Sequence, residues 1–244
     1  MYSIGILIPT TTNGRDWKTM KDTYLYNYFM KSFLKTYCQN YNYTIYLGMD
    51  NSDKVYKKQE EREQLMRFLN IMKNVKIKII SVDEIQKGYV TKMWNKLFKE
   101  AYEDGCDYFY QCGDDIEFLD KGWVTKSIHA LISNNNNGLT GPLDKKRIEV
   151  GGASSSPGGK RFIQTQAFVS RKHYEHFGFF FPEEIKNWYC DDWITKLYFP
   201  KYFLILNNSY IINSGGKPRY NPDTTEAPKI LVYLIKKYRK QMQY

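Results

Sequence analysis

A chain of 244 residues with 42% hydrophobic content is long enough to bury a real core, as one large domain or two small ones. Its net charge of +10 favours anionic partners (nucleotides, nucleic acid or acidic membrane surfaces) without choosing among them, and the Tyr-, Asn-, Lys- and Ile-rich bias of an AT-rich genome would raise the lysine content by itself. Cys38, Cys106, Cys112 and Cys190 form no Cys-x-x-Cys pair, which argues against a zinc site and fits reduced thiols in a cytoplasmic protein. No stretch reaches the ~18 apolar residues of a membrane span, and the apolar run Ile4 to Ile8 is strand-sized, too short for a signal peptide.

Ser3 to Pro9 reads as a buried parallel strand, ended by Pro9 and followed by the polar loop Thr10 to Arg15. Lys18 to Tyr37 predicts a helix, with Met20, Leu25, Phe29, Phe33 and Leu34 near helical spacing. Tyr43 to Gly48 is a second strand, closed by a polar turn that contains Asp50 and Asp53. An Asp at that point contacts a ribose or base in many nucleotide-binding α/β sheets, and the plain alternative is an Asx-type turn. Glu60 to Lys73 is an amphipathic helix, with Leu65, Phe68, Leu69 and Met72 on one face. Val75 to Val82 is a third strand, and Lys92 to Glu103 a helix that Gly105 terminates.

The most informative stretch follows. Tyr108, Phe109 and Tyr110 suit a half-buried strand, Gly113 permits a bend, and Asp114 and Asp115 come at once. Adjacent carboxylates at a strand end raise each other's ionisation cost, so such a pair calls for a cation or a proton between its members. Carboxylate oxygens are hard ligands that suit Mg²⁺ or Mn²⁺. The plain alternative is a solvated Asp-Asp turn. Alternation of β and α up to residue 118 argues for a parallel sheet with helices on both faces.

Beyond it, Asp120 is expected to cap a helix running to about Ser133, and Gly138 to Gly141 to form a short strand. The Gly151 to Gly159 segment reads as flexible, a lid or a disordered surface loop. Arg161 to Val169 is strand-like, and Ser170 caps a short helix stopped by Gly178. A second acid pair, Asp191 and Asp192, opens the helix Ile194 to Phe199; capping alone would explain one of them. Leu204 to Ile212 is the last strand. Asn213 to Tyr220 is a loop containing Lys217 and Arg219, and from Pro228 a basic helix packs on the domain.

This order of features resembles that of GT-A-fold glycosyltransferases, close to the family-2-like enzymes that include those of large DNA viruses. The carriers are Ile4 to Arg15, Asp50 to Asp53, Gly113-Asp114-Asp115 and Cys190-Asp191-Asp192-Trp193, so the resemblance spans most of the chain. It implies an α/β fold of GT-A type, a single Rossmann-like domain over residues 1–244 with a central, mostly parallel sheet flanked by helices. Residues 1–118 would form its nucleotide-sugar half, 119–227 its acceptor and catalytic half, and 228–244 the basic helix. The family's mid-chain strand ends in Asp-x-Asp or Asp-Asp-Asp, which holds a divalent metal (Mn²⁺ or Mg²⁺) on the donor diphosphate. Here Gly113 takes the first place of the triplet, so the resemblance assigns Asp115 to the metal and Asp114 to the ribose or the metal's water shell. Pro9, Thr10, Thr11, Arg15, Asp50 and Asp53 would contact the nucleotide, and Lys217, Arg219 and Tyr220 the diphosphate, in a loop that lacks the family's common His ligand. The late acid pair matches the motif that supplies the base of inverting members, with Asp192 slightly preferred over Asp191. The implied reaction moves a sugar from a nucleotide donor, UDP-linked by the family's habit, to a glycan or protein-linked acceptor. It needs no nucleic acid and no membrane span, and runs in the cytoplasm (the host's, for a viral chain).

Three other readings compete. Gly113-Asp114-Asp115 also resembles the Gly-Asp-Asp signature of viral RNA polymerases, but the chain is short for fingers, palm and thumb, and its βαβ order differs from a palm. A sugar-nucleotide pyrophosphorylase would need a Gly-rich, Arg-containing signature that Thr10 to Arg15 lacks. A non-catalytic basic binding module leaves both acid pairs unexplained.

Overall fold

The computed structural model describes residues 1–216 and 218–243 of the chain. At its centre is β1 (Ser3–Pro9). Both faces of this strand are covered, so the run Ile4-Gly5-Ile6-Leu7-Ile8 has no exposed position. Period-2 alternation sends Ile4, Ile6 and Ile8 into one core and Leu7 into the other. β2 (Asn42–Met49) and β4 (Tyr108–Gln111) flank β1 in parallel, and they repeat the division: Tyr43, Ile45, Leu47, Tyr108 and Tyr110 on the first side, Tyr46 and Phe109 on the second. β3 (Val75–Ser81) lies parallel outside β2, and the short β7 (Phe168–Ser170) runs antiparallel outside β4, giving the order β3-β2-β1-β4-β7. This is the mostly parallel α/β sheet expected from the sequence.

The predicted first helix is three consecutive pieces: a 3₁₀ turn at Met20–Asp22, a π-helical stretch at Leu25–Met30 and α1 (Lys31–Thr36). α2 (Gln59–Leu69) and α3 (Val90–Glu103) match their predicted positions. α3 lies tightly over β1, because a Cβ on Gly5 would sit 3.0 Å from the Ala101 Cβ and 3.3 Å from the Phe109 ring. The chain adds β2 and β3 on one side of β1, then returns through α3 to place β4 on the other. The connections leaving β1 and β4 therefore diverge, and they open the crevice in which open α/β sheets bind ligands.

A second sheet, in the order β5-β8-β6, stands at that crevice. It comprises β5 (Ile116–Phe118), β6 (Leu143–Asp144) and β8 (Tyr210–Asn213). Ile116 pairs with Asn213, so the chain leaving β8 starts beside the acid pair, and the Ser214 amide donates to the Asp115 carbonyl at 2.8 Å. The described part of that outgoing segment, residues 214–216 and 218–223, is called the strap.

Several expectations need correction. α4 (Trp123–Ser133) starts at Gly122, whose φ of +77° suits glycine; Asp120 does not cap it, and its carboxylate accepts from the Tyr210 amide at 2.7 Å. The strand expected over 161–169 shrinks to β7. Its first half is pinned to side chains and turns: the Gln164 amide donates to Thr195 Oγ1 at 2.8 Å, and Gln164 Nε2 to the Pro142 carbonyl at 2.9 Å. The strand expected over 204–212 shrinks to β8, because the chain turns at Asn208 (φ +58°). In the 138–141 segment only Leu139 and Thr140 make isolated β-bridges. The glycine-rich segment has regular structure at its start, where α5 (Lys145–Gly151) continues into a 3₁₀ turn over Gly152–Ser155 and Ser155 is buried. α6 (Arg171–Phe177) is as predicted, with Ser170 accepting from the Lys172 amide and Gly178 at φ +73°. α7 (Cys190–Tyr198) and α8 (Glu226–Arg239) pack together, and α8 buries Ala227, Leu231, Leu234 and Tyr238. Among the described residues no helix is long and apolar enough to cross a membrane.

The close seat of α3 gives a direct test. Gly5→Val pushes methyl groups into Ala101 and Phe109, and urea denaturation is expected to show a loss of about 2 kcal/mol or more.

Candidate active site

A cavity of about 760 Å³ occupies the crevice. Pro9, Thr10, Thr11 and Arg15 line it from the loop after β1, Asp50 from the turn after β2, and Asp114 and Asp115 from the end of β4. Asp191 and Asp192 enter from the first turn of α7, and Arg219 and Tyr220 from the strap. The sequence candidates thus converge, with two exceptions. Lys217 lies outside the described residues. Asp53 is fully buried away from the lining, and its carboxylate holds the β1 loop instead of facing a ribose. It accepts from the Thr12 amide at 2.6 Å, Thr12 Oγ1 at 2.5 Å, Thr11 Oγ1 at 3.0 Å and the Val55 and Tyr56 amides at 3.0 Å. Burial would raise its pKa, but these hydrogen bonds outweigh it and hold the carboxyl below its ordinary value. Asp50 is the residue of that turn that reaches the cavity, while its Oδ1 accepts from the Ser52 amide at 2.8 Å.

Asp114 has no solvent exposure. Both of its oxygens are bound by the Arg219 guanidinium, with Nη1 2.9 Å from Oδ2 and Nη2 on Oδ1. Thr10 Oγ1 also donates to Oδ2, at 2.7 Å. That uses the only Thr10 hydroxyl proton, so the Tyr56 hydroxyl, 3.0 Å away, donates to Thr10. Nη1 of Arg219 also donates to the Thr11 carbonyl at 2.7 Å. Burial alone would lower the pKa of Arg219, but the Asp114 charge and hydrogen bonds raise it. Asp114 is thus the anchor of the strap, and Arg219 is the strap's fastener. The ring of Tyr24 lies 5.5 Å from the Arg15 guanidinium and 5.8 Å from that of Arg219.

Asp115 differs from its neighbour. It has no ion-pair partner among the described residues, and burial followed by the Asp114 charge pushes its carboxyl up to about 6. Its two oxygens sit against Gly113 and Gly215, where a Cβ on either glycine would overlap them. At α7, burial pushes Asp191 up to about 7. Asp192 pairs with Lys196 at 3.3 Å, one turn on. Asp144 on β6 also lines the cavity and is raised by burial.

Sequence reasoning missed four cavity residues. Arg147 on α5 reaches the lining and has no ion pair among the described residues. Gln111 and Gln166 line the floor; Gln111 Oε1 accepts from the Ala167 amide at 3.2 Å and Gln166 Oε1 from the Gly113 amide at 3.3 Å. Their Nε2 groups are left as donors without a partner among the described residues. Asn187, three residues before the helix that carries the acid pair, is the fourth. Gln111 and Asn187 carried one signal, an uncharged polar side chain just before an acid pair, and Arg147 and Gln166 carried none.

No family model and no curated protein matches the chain. Solved structures do. The chain is similar to TarS of S. aureus, a GT-A-like glycosyltransferase. Against TarS 1-349 in complex with UDP-GlcNAc the TM-score is 0.61 at 12% identity, over 99% of this chain and 66% of that one. Against the complex with UDP it is 0.58 at 12% identity, over 98% and 65%. A further TarS 1-349 structure gives 0.56 at 14% identity over 86% and 59%, and a longer TarS structure is spanned to only 39% of its length. At such identities the likeness is one of fold: a mixed α/β architecture with a mostly parallel sheet flanked by helices, of the kind found in glycosyltransferases.

The buried pair predicts its own energetics. Arg219→Met strands the Asp114 carboxylate without a counter-charge, so urea unfolding is expected to show a loss of about 3–5 kcal/mol. Asp114→Leu combined with Arg219→Met should recover much of it, as a hydrophobic replacement of a buried pair.

Proposed function

We propose that the protein is a glycosyltransferase that moves a sugar from a UDP-linked donor to a hydroxyl on a glycan or protein-linked acceptor, with inversion. One observation carries this reading: a single cavity at the crevice of an α/β sheet brings together two acids of different character on separate elements, Asp115, which has no ion pair among the described residues, and the raised Asp191. The fold likeness to TarS structures that contain UDP and UDP-GlcNAc supports the choice of nucleotide.

A divalent cation, Mn²⁺ or Mg²⁺, fits the donor set. Among the described residues no group of three or more His, Cys, Asp and Glu side chains could enclose a metal. One hard carboxylate, Asp115, bedded against two glycines, suits an ion that retains water and takes its remaining ligands from phosphate oxygens. Bound there, it would act as a Lewis acid on the departing diphosphate. Asp114 is the second member of that motif in sequence, but its engagement by Arg219 makes it an anchor and no ligand. Pro9, Thr10, Thr11 and Asp50 wall the nucleotide side. Arg15 adds positive charge for the diphosphate, and Tyr220 closes the strap side.

Asp191 is the base. An acceptor hydroxyl needs a proton acceptor within hydrogen-bond reach, and a carboxyl with its pKa near 7 is matched to that task. The hydroxyl proton passes to Asp191 as the acceptor oxygen bonds to the anomeric carbon. The bond from that carbon to the diphosphate oxygen breaks, and its electron pair leaves with UDP. Asp192, slightly favoured from sequence, is the weaker candidate because it pairs with Lys196. Residues 1–118 serve as the donor half and 119–227 as the acceptor half, with the strap crossing back to the donor. The free cysteines suit the reducing cytoplasm.

Thermal-shift screening of UDP, GDP, dTDP and UDP-sugars, with and without Mn²⁺, tests the reading. The expected outcome is a Mn²⁺-dependent rise in Tm with UDP compounds that is lost in Asp115→Asn. A rise with single-stranded RNA and none with any nucleotide would overturn it. Asp191→Asn should lower kcat by ~10²-fold or more with UDP binding retained. The wild-type kcat should fall as pH drops below about 7, where Asp191 takes up a proton. The same raised pKa has a stability sign. An ionised Asp191 is disfavoured in the folded state, so its cost grows as pH climbs from the ordinary 3.8 through about 7. Asp191→Asn should therefore be more stable than wild type at pH 8, by on the order of 2 kcal/mol, with the gap closing toward about pH 4. Urea titrations at the two pH values read this.

A further inference from the structure

The turn that presents Asp191 is backbone-strained. Tyr189, immediately before α7, has φ +73°, a left-handed conformation that a bulky aromatic residue adopts only when its surroundings impose it. The residue best placed to impose it is Asn187. Its side chain is 4% exposed and uses two donors and two lone pairs. Nδ2 donates to the Gly88 carbonyl at 3.0 Å and the Asn221 carbonyl at 3.2 Å. Oδ1 accepts from the Trp188 amide at 2.6 Å and the Asp223 amide at 2.9 Å. With carbonyls on one side and amides on the other, the amide orientation is fixed by its partners.

Those partners belong to three segments. Gly88 lies in the loop before α3 and lines the donor side of the cavity, Trp188 belongs to the turn that carries Asp191, and Asn221 and Asp223 belong to the strap, just past Arg219 and Tyr220. A Cβ on Gly88 would lie 3.6 Å from the Tyr220 Cβ, so loop and strap already touch. Thr91 fastens the same turn from α3, its Oγ1 donating to the Ile185 carbonyl at 2.5 Å. Arg219 fastens the strap at one end, through Asp114, and Asn187 fastens it at the other.

We propose that Asn187 is a positioning residue that locks the donor loop, the strap and the Asp191 turn to one another, so that a closed donor site and a correctly placed base occur together. This rests on the glycosyl-transfer reading. Asn187 touches no reacting atom; it acts through Asp191. Charged and titratable groups around Asp191 are Cys190 and Asp192 on its own helix, Arg147 from α5 and Tyr220 from the strap. Loosening the turn would admit water among them.

The test uses the full chain with Mn²⁺ and a panel of UDP-sugars, reading UDP release with water as the acceptor, and UDP affinity by calorimetry. Asn187→Asp keeps the size and the acceptor oxygen but turns an oxygen toward the Gly88 and Asn221 carbonyls. Asn187→Ala removes all four bonds. Leu69→Ala, a core cut on α2 remote from the cavity, serves as a control for lost stability alone. Both Asn187 variants are expected to lose on the order of 30-fold or more in kcat with UDP affinity within about threefold, and in Asn187→Ala the acidic limb of the pH profile should move down from near 7 as Asp191 is hydrated. The control should lower Tm and leave that limb in place. Asn187 variants with a lower Tm but wild-type kcat and pH profile would overturn the positioning role alone. A wild-type chain that binds no UDP and releases none from any UDP-sugar would overturn the glycosyl-transfer reading, and the positioning role with it.

Discussion

The ion pair between Arg219 and Asp114 joins parts of the chain more than a hundred residues apart, and the site depends on it. Asp114 lies in the turn that follows the strand beside β1, and Arg219 comes from the strap that follows the last strand. A charge with no access to water is tolerable only with a partner and filled lone pairs. Asp114 has both, because Arg219 binds both oxygens and Thr10 takes a second bond to one. The strap is therefore held across the mouth of the crevice by the electrostatics of the acid pair. Of two adjacent carboxylates, one is neutralised by the protein and the other, Asp115, is left facing the cavity.

That division explains why neighbouring acids behave differently on both sides of the cavity. Asp114 and Asp115 are separated by an arginine that reaches only the first. Asp191 and Asp192 are separated by Lys196, one helical turn beyond the second. In each pair a cation takes one carboxylate, and burial keeps the other nearer to protonation. Two such acids on separate elements, one beside the sheet and one at a helix start, fit the roles proposed above, holding a hard cation with one and accepting a proton with the other.

The parallel strands of the first sheet were legible because its central strands are buried on both faces, which leaves unbroken apolar runs such as Ile4 to Ile8 bounded by Pro9 and polar turns. The acid pairs were legible because adjacent carboxylates after an aromatic strand are unusual. What the pattern could not convey was division of labour. Asp50 and Asp53 look alike in a polar turn, and only the folded loop shows that Thr11 and Thr12 claim the latter. Asp120 resembles a helix cap in sequence, but Gly122 lets the helix start later and leaves the carboxylate for β8. The short strands β7 and β8 were overcalled because Gln164 and Asn208 divert their flanks into side-chain bonds and a turn, features that β propensity does not see. Asn187 was invisible for a related reason: its partners lie about a hundred residues before it and more than thirty after it.

Four of the five tryptophans fall into two sets with different surroundings. Trp94 and Trp188 line the cavity, and Trp188 is 44% exposed. Trp123 and Trp193 are wholly enclosed in the two cores, and Trp17 packs edge-on against Tyr24 at a ring distance of 4.7 Å. The two indoles at the cavity wall are thus exposed to whatever occupies it, and the two interior indoles are shielded from it. Whatever enters the crevice changes the polarity around Trp94 and Trp188 and leaves that around Trp123 and Trp193 unchanged, so the chain carries an optical gauge of occupancy with an internal reference.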